Sequence, residues 1–275
     1  MPDERVTVIR PPARVSFANV RETVRFRTLI VRLAARDVTL RYRQTVLGVV
    51  WVILQPLLAA GVVAVVFGNV AKIPAGGDVS YFLLAFAGTV WWNATSQTVL
   101  RVTGSLVTNA QLVSKVYFPR LVIPVGLILS GLLDIAIGYT FFMVLLFTTG
   151  PGITPAILLS PIWLFFGLLL GAGVGLAAAS AAVRYRDVQQ VMPLFVSLMF
   201  FVCPVAYRLD TVPESLNWLY ALNPATGLLE AFRWSTVGGT FPVGLVAYSI
   251  GATILCALGG LLIFSRWERM FADVI

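Results

Sequence analysis

Residues 48–70 read GVVWVILQPLLAAGVVAVVFGNV, 23 residues without a charge. About 20 mostly apolar residues suffice for a helix to cross the ~30 Å hydrocarbon core of a bilayer. Four further segments qualify, at 81–100, 121–149, 155–183 and 243–265. A sixth, 188–207, is shorter and carries Pro193 and Pro204, yet no charge interrupts it. The expected fold is therefore an all-α integral membrane protein of six transmembrane helices. Composition agrees: 59% of the 275 residues are apolar, 12% are charged and the mean hydropathy is +0.89, whereas ordinary globular chains carry about 25% charged residues.

The net charge of +8 and pI of about 10.0 would suggest nucleic acid in a soluble chain. Here the charge is a matter of topology. Residues 1–47 hold ten arginines against Asp3, Glu4, Glu22 and Asp37. If six spans alternate, seventeen of the twenty basic residues fall on one side. The positive-inside rule then places both termini in the cytoplasm, and no nucleic-acid partner is expected. The long basic stretch ahead of the first apolar run also argues against a signal peptide.

Several chemistries are excluded. With no histidine, the commonest general base and metal ligand is missing, and no metal site is expected. Cys203 and Cys256 stand alone in apolar runs, so neither a zinc spacing nor a disulfide framework exists. Gly-Lys never occurs, which removes the phosphate loop of nucleotide hydrolases. The chain is not expected to be an enzyme, and no catalytic residue is assigned.

Residues 1–20, with Pro11-Pro12, read as an irregular cytoplasmic lead-in, and 21–47 as an amphipathic interface helix ahead of the transmembrane domain 48–275. Arg21, Arg25, Arg32, Arg36 and Arg43 recur along one helical stripe, opposite Phe26, Ile30, Leu33 and Leu40. That profile suits a helix lying on an anionic leaflet; a solvated helix is the alternative. Between spans two and three, segment 102–119 puts Leu106, Ala110, Val113 and Tyr117 on one face and stops at Pro119. A short helix of this kind either docks into a groove of a soluble partner or packs back on its own bundle.

The loop 207–240 reads as two short helices, 212–222 and 224–236. The first starts from a capping box, Thr211-Val-Pro-Glu214, and the second from Asn223-Pro224, before Gly238-Gly239 ends it. Leu216, Leu219, Leu228, Leu229 and Phe232 are too apolar for a free hairpin and suit one that re-enters the outer leaflet; a lid over the loop ends is the alternative. Gly167, Gly171, Gly175 and Ala179 form a stripe for close helix packing, and Asp187 is placed to cap span five. Asp134 is the one carboxylate deep in a span. Intramembrane acids mark functional sites, and a proton-coupled transporter using Asp134 is one reading. With no base at the same depth, a neutral Asp134 bonded to Ser130 or a neighbouring helix is the other. Trp51, Trp91, Trp92, Trp163, Trp218 and Trp234 lie toward span ends or in the hairpin, as interface anchors or as faces on which sugar rings stack.

Several stretches together resemble the membrane permease of bacterial ATP-binding-cassette exporters for polysaccharides such as O-antigen, teichoic acid and capsule. They are Arg36-Asp37…Arg41-Tyr-Arg43, Leu47-Gly48…Trp51…Gln55-Pro56, Asn109…Lys115…Phe118-Pro-Arg120 with Pro124, Arg184-Tyr-Arg-Asp187, Pro204-Val-Ala-Tyr207 and Asn223-Pro224…Glu230…Arg233. The resemblance covers about residues 29–275. It implies a homodimer with two copies of a separate ABC ATPase, which would hold the ATP and magnesium this chain needs no site for. By the same resemblance Leu106, Asn109, Ala110, Val113, Lys115, Tyr117, Phe118, Arg120, Arg184 and Asp187 couple to the ATPase. Pro204, Tyr207, Trp218, Asn223, Pro224, Glu230 and Arg233 form an outer gate, and Arg36, Asp37, Arg41 and Arg43 belong to the interface helix. Trp51, Trp91, Trp92 and Asp134 are candidates for the channel lining. The implied cargo is a polysaccharide on an undecaprenyl-type lipid, moved across the bacterial cytoplasmic (inner) membrane; small lipids or drugs are the cargo of related exporters.

Overall fold

A computed structural model describes residues 18–43, 48, 50–72, 79–150, 152 and 154–274, and among them every regular element is helical. The lead-in at 1–17 and part of the linker at 44–49 lie outside the described residues. Two helices precede the bundle, α1 (Ala18–Arg25) and α2 (Arg27–Tyr42). The single interface helix expected from the sequence is thus broken at Phe26, where the backbone leaves the helical region.

The bundle begins with α3 (Val50–Val63), which continues as a π-helical turn over Ala64–Val70. It is followed by α4 (Tyr81–Thr108), the short α5 (Ala110–Lys115), α6 (Val122–Thr149), a 3₁₀ turn (Pro155–Leu159) and α7 (Ser160–Arg184). Then come α8 (Val188–Val202), a 3₁₀ turn (Leu209–Thr211), α9 (Glu214–Leu222), α10 (Pro224–Val237) and α11 (Val243–Val274). Four stretches are long and apolar enough to cross a membrane, namely Val50–Val70, Val122–Thr149, Pro155–Arg184 and Val243–Glu268. Helix α8 is apolar but has 15 residues. At 28 residues α4 has the length, ~42 Å at 1.5 Å per residue, but its polar side chains lower its hydropathy.

Helix α4 is nevertheless the core of the bundle, packed against α3, α6, α7, α8 and α10. The glycine stripe of α7 allows its closest contact. A Cβ on Gly171 would stand 2.6 Å from the Thr95 carbonyl oxygen, and one on Gly175 2.7 Å from the Val102 side chain. The other side of α7 meets α11 equally closely, Gly173 facing Ala257 and Gly260. In an apolar solvent such packing takes over the role that hydrophobicity plays in water.

Two apolar clusters divide the bundle along its length. The larger gathers Trp91, Phe86, Phe142 and Trp163 with Leu228, Leu229 and Phe232 of α10, toward the hairpin end. The smaller joins Ile30 and Leu33 of α2 to Val102, Leu106, Val113, Phe118, Phe264 and Phe271 at the α5 end. The apolar face of α2 is therefore covered by protein: Ile30 and Leu33 close over Gly126 of α6, while Leu40 stays exposed.

Candidate functional site

The α5 end differs from the expected independent helix over 102–119. Residues 102–108 continue α4, Asn109 breaks the helix, and α5 spans only 110–115. Leu106 and Val113 are fully buried and Phe118 nearly so, and all three belong to the smaller cluster. Ala110 is half-buried. Tyr117 does not share their face: it lies beyond α5 and is 82% exposed. With Lys115 and Val116 it leaves a knuckle of charge and apolar surface facing outward. The knuckle is fixed from behind. Arg120 donates its main-chain N–H to Glu268 of α11 at 2.7 Å and its guanidinium to the Val116 carbonyl at 2.9 Å. Asn109 accepts from Arg36 of α2 at 2.6 Å. Arg184, Tyr185 and Asp187 are also exposed, where α7 turns into α8. Asp187 occupies the position before α8 but its side chain makes no capping bond there, in contrast to the expected cap.

The second constellation centres on Asp134. In contrast to the expected lack of a base at its depth, Arg41 of α2 and Arg101 of α4 both donate to its carboxylate, as does the Tyr42 hydroxyl. Arg41 donates in addition to Asp37, one helical turn earlier. Ser130 donates to Asp37 at 2.6 Å rather than to Asp134. Burial, then the Asp134 carboxylate, pushes the Tyr42 phenol up to about 12. Arg43 is exposed at the C-terminal end of α2. The network ties α2 to α4 and α6 and gives Asp134 the task of an ionic hub.

Above this hub lies a cavity of about 550 Å³ between α3, α4 and α6. Trp51, Gln55, Asn93 and Gln97 line it together with Arg41, Arg101 and Asp134. Of the four residues considered for a channel lining, Trp51 and Asp134 face this space. Trp91 does not; it is enclosed in the core, donating its indole N–H to the Trp163 carbonyl at 3.0 Å. Trp92 is half-buried, edge-on to Phe200. The stripe Asn93, Gln97 and Arg101, spaced four apart on α4, was not singled out from the sequence, although its helical period was there to be read.

The third constellation is the hairpin. Asn223 caps α10 as expected, its side-chain oxygen accepting from the Ala225 N–H at 3.0 Å, and Pro224 begins the helix. The capping box of α9 is not formed: α9 starts at Glu214 after Pro213, and Thr211 lies in the preceding 3₁₀ turn, donating to the Arg208 carbonyl. Leu228, Leu229 and Phe232 are fully buried, whereas Leu216, Trp218 and Leu219 on α9 are exposed. The bolt that holds the hairpin is Arg233, 2% exposed. Its guanidinium donates to the carbonyls of Pro204 (2.6 Å), Val205 (2.6 Å) and Tyr207 (2.8 Å), and to Glu230 (3.2 Å). These carbonyls follow the end of α8, where no further helix supplies N–H partners. Nearby, the Tyr207 and Tyr220 hydroxyls bond at 2.7 Å, and Tyr81 donates to the Ala206 carbonyl.

Known proteins are similar to this chain over most of its length. The O-antigen export system permease protein RfbA of Klebsiella pneumoniae is 26% identical over 252 residues, covering 90% of this chain and 95% of its own length. The protein of the same name from Myxococcus xanthus is 28% identical over 218 residues, covering 78% and 82%. The polysialic acid transport protein KpsM of Escherichia coli is 24% identical over 251 residues, covering 88% and 94%. Residues 28–237, from α2 to the end of α10, match the ABC-2 type transporter family, and the chain is a multi-pass membrane protein that belongs to it.

Proposed function

We propose that this chain is the permease subunit of an ATP-driven exporter that carries a lipid-linked polysaccharide across the bacterial cytoplasmic membrane. The observation that carries the reading is the near full-length likeness to permeases named for O-antigen export and to a polysialic acid transporter. The geometry supports a division of labour. A rigid knuckle at Lys115–Tyr117, backed by α2, α4 and α11, is suited to receive force from a separate ATPase. The Arg233-bolted hairpin is suited to gate the far end. In this reading the chain acts as a homodimer with two ATPase subunits, α4 and α8 complete a set of six spans, both termini are cytoplasmic, and ATP with magnesium is bound by the partner. The lipid carrier is of the undecaprenyl type.

The test is depletion of the protein followed by analysis of glycolipids on each side of the membrane. Lipid-linked polysaccharide trapped inside supports the proposal. Unchanged surface glycan with altered export of a small lipid or drug transfers the chain to the related class.

A further inference from the structure

We infer that the cavity between α3, α4 and α6 is a sugar-binding site within a single protomer, taking one or two uncharged rings of the glycan. Its size, about 550 Å³, falls within the ~300–1,000 Å³ of small-molecule sites. The inference rests on the export reading for the origin of the sugar and on the geometry for the site itself.

Charge selects the ligand class. Arg41 and Arg101 are matched by Asp134 and Asp37, so two cations meet two carboxylates and no surplus charge is left to draw an anion. What remains for a ligand is neutral bonding capacity. The carboxamides of Gln55, Asn93 and Gln97 line the cavity, and among the described residues none has a side-chain hydrogen-bond partner. One N–H nitrogen of Arg101 is buried without a partner and sits beside Gly131 at the cavity wall. Each carboxamide offers both donor and acceptor, the combination that a sugar hydroxyl, itself donor and acceptor, satisfies. Trp51 lines the same space and is 45% exposed, presenting an apolar aromatic face of the kind that stacks on a pyranose ring.

Asn93, Gln97 and Arg101 lie four residues apart on α4 and therefore on one face. Across the cavity, α3 contributes Gln55 and Pro56, and proline leaves the Val52 carbonyl without its usual i+4 donor. Gly138 of α6 completes the wall. It is buried, yet a Cβ placed on it would meet nothing within 4 Å, because the adjoining space is the cavity itself. Polar side chains in a membrane bundle face partners or water-filled space; these three carboxamides have the space and lack the partner.

The test uses the purified full chain in phosphatidylcholine nanodiscs, since maltoside detergents would compete. Saturation-transfer NMR is recorded with millimolar methyl glycosides of glucose, galactose, mannose and N-acetylglucosamine. At least one is expected to receive saturation, and Gln97→Leu is expected to cut that transfer at least tenfold. Gly138→Leu fills the cavity without touching the ionic hub and is expected to do the same while keeping the native helical spectrum and elution volume. Transfer that is undiminished in Gly138→Leu, transfer to none of the four glycosides, or displacement of the sugar by millimolar inorganic pyrophosphate would each overturn the inference. Because binding is read on the isolated chain, its failure leaves the depletion test of export untouched, and the reverse holds.

Discussion

Replacing Arg233 by Met tests the bolt of the hairpin. The guanidinium is 2% exposed and serves three main-chain carbonyls at 2.6–2.8 Å as well as Glu230. Hydrogen bonds to charged groups contribute ~1.5–3 kcal/mol each, so the three carbonyls alone account for several kcal/mol. Relaxation after α8 returns part of this, while Glu230 loses its partner. The net loss should be about 4 kcal/mol, within the ~3–5 kcal/mol typical of breaking a buried ionic contact. At ~2–4 °C per kcal/mol for chains of this order, the melting temperature of the purified protein should fall by about 8–16 °C. Arg233→Lys keeps the charge but not the planar fork and should lose about half as much. Gly88 supplies a cross-check, because a Cβ there would stand 2.4 Å from the Val205 oxygen and 2.7 Å from the Arg233 guanidinium. Gly88→Ala should therefore cost less in the Arg233→Met background than in the native one, the signature of two residues sharing an interaction. A melting temperature for Arg233→Met within about 2 °C of native, or full additivity with Gly88→Ala, would refute this account.

Gly171→Val forces a side chain against the Thr95 carbonyl and should destabilise by ~1–3 kcal/mol or more, whereas Gly138→Ala, facing open space, should melt at or slightly above the native temperature. Asp134→Asn leaves Arg41 and Arg101 without their shared carboxylate and should cost ~3–5 kcal/mol; adding Arg101→Gln should restore part of that in the same melt. Tyr117→Ala and Lys115→Glu, at exposed positions, should stay within about 0.5 kcal/mol of native stability yet abolish co-purification of an ATPase. Retained co-purification would remove Lys115–Tyr117 from the coupling surface.

Features carried by local pattern were legible in the sequence. The apolar runs place the long helices, Asn223-Pro224 marks the start of α10, and the spacing of Gly167, Gly171 and Gly175 announces the α7 packing face. Pairings between distant residues were not. Arg41 and Arg101 meet Asp134 across 93 and 33 residues, and no periodicity relates such positions. Arg101 was also hidden by a boundary: with span two ended at residue 100 it reads as a loop charge, while the continuous α4 carries it to the depth of Asp134. Arg233 was visible as part of a motif, but its burial follows only from the carbonyls left by the end of α8. The capping box failed for a local reason, since Pro213 already starts the turn and Thr211 is bonded to Arg208.

The behaviour of α4 shows why hydropathy ranks these helices in the wrong order for function. A hydropathy scan measures fitness to face lipid, and α4 is, among the long helices, one of those most fully surrounded by its neighbours. Much of its polarity costs nothing there, because Thr95, Thr98 and Thr103 return their hydroxyl protons to carbonyls one turn back, at 3.2, 2.7 and 2.8 Å. Among the described residues the side chains of Asn93 and Gln97 make no such bond, and Arg101 bonds outside the helix. Arg101 finds its partner in Asp134; Asn93 and Gln97 find only the cavity. The residues that disqualify α4 as a membrane span by composition are therefore the ones that build its polar wall. The face opposite them is held against α7 by glycines that admit no side chain. The exposed apolar surface falls instead to α3 and α8, whose residues Leu58, Val62, Leu194 and Phe201 are all more than half exposed. A polar helix enclosed by apolar ones is what a bundle needs if it is to pass a hydrophilic cargo while remaining soluble in lipid.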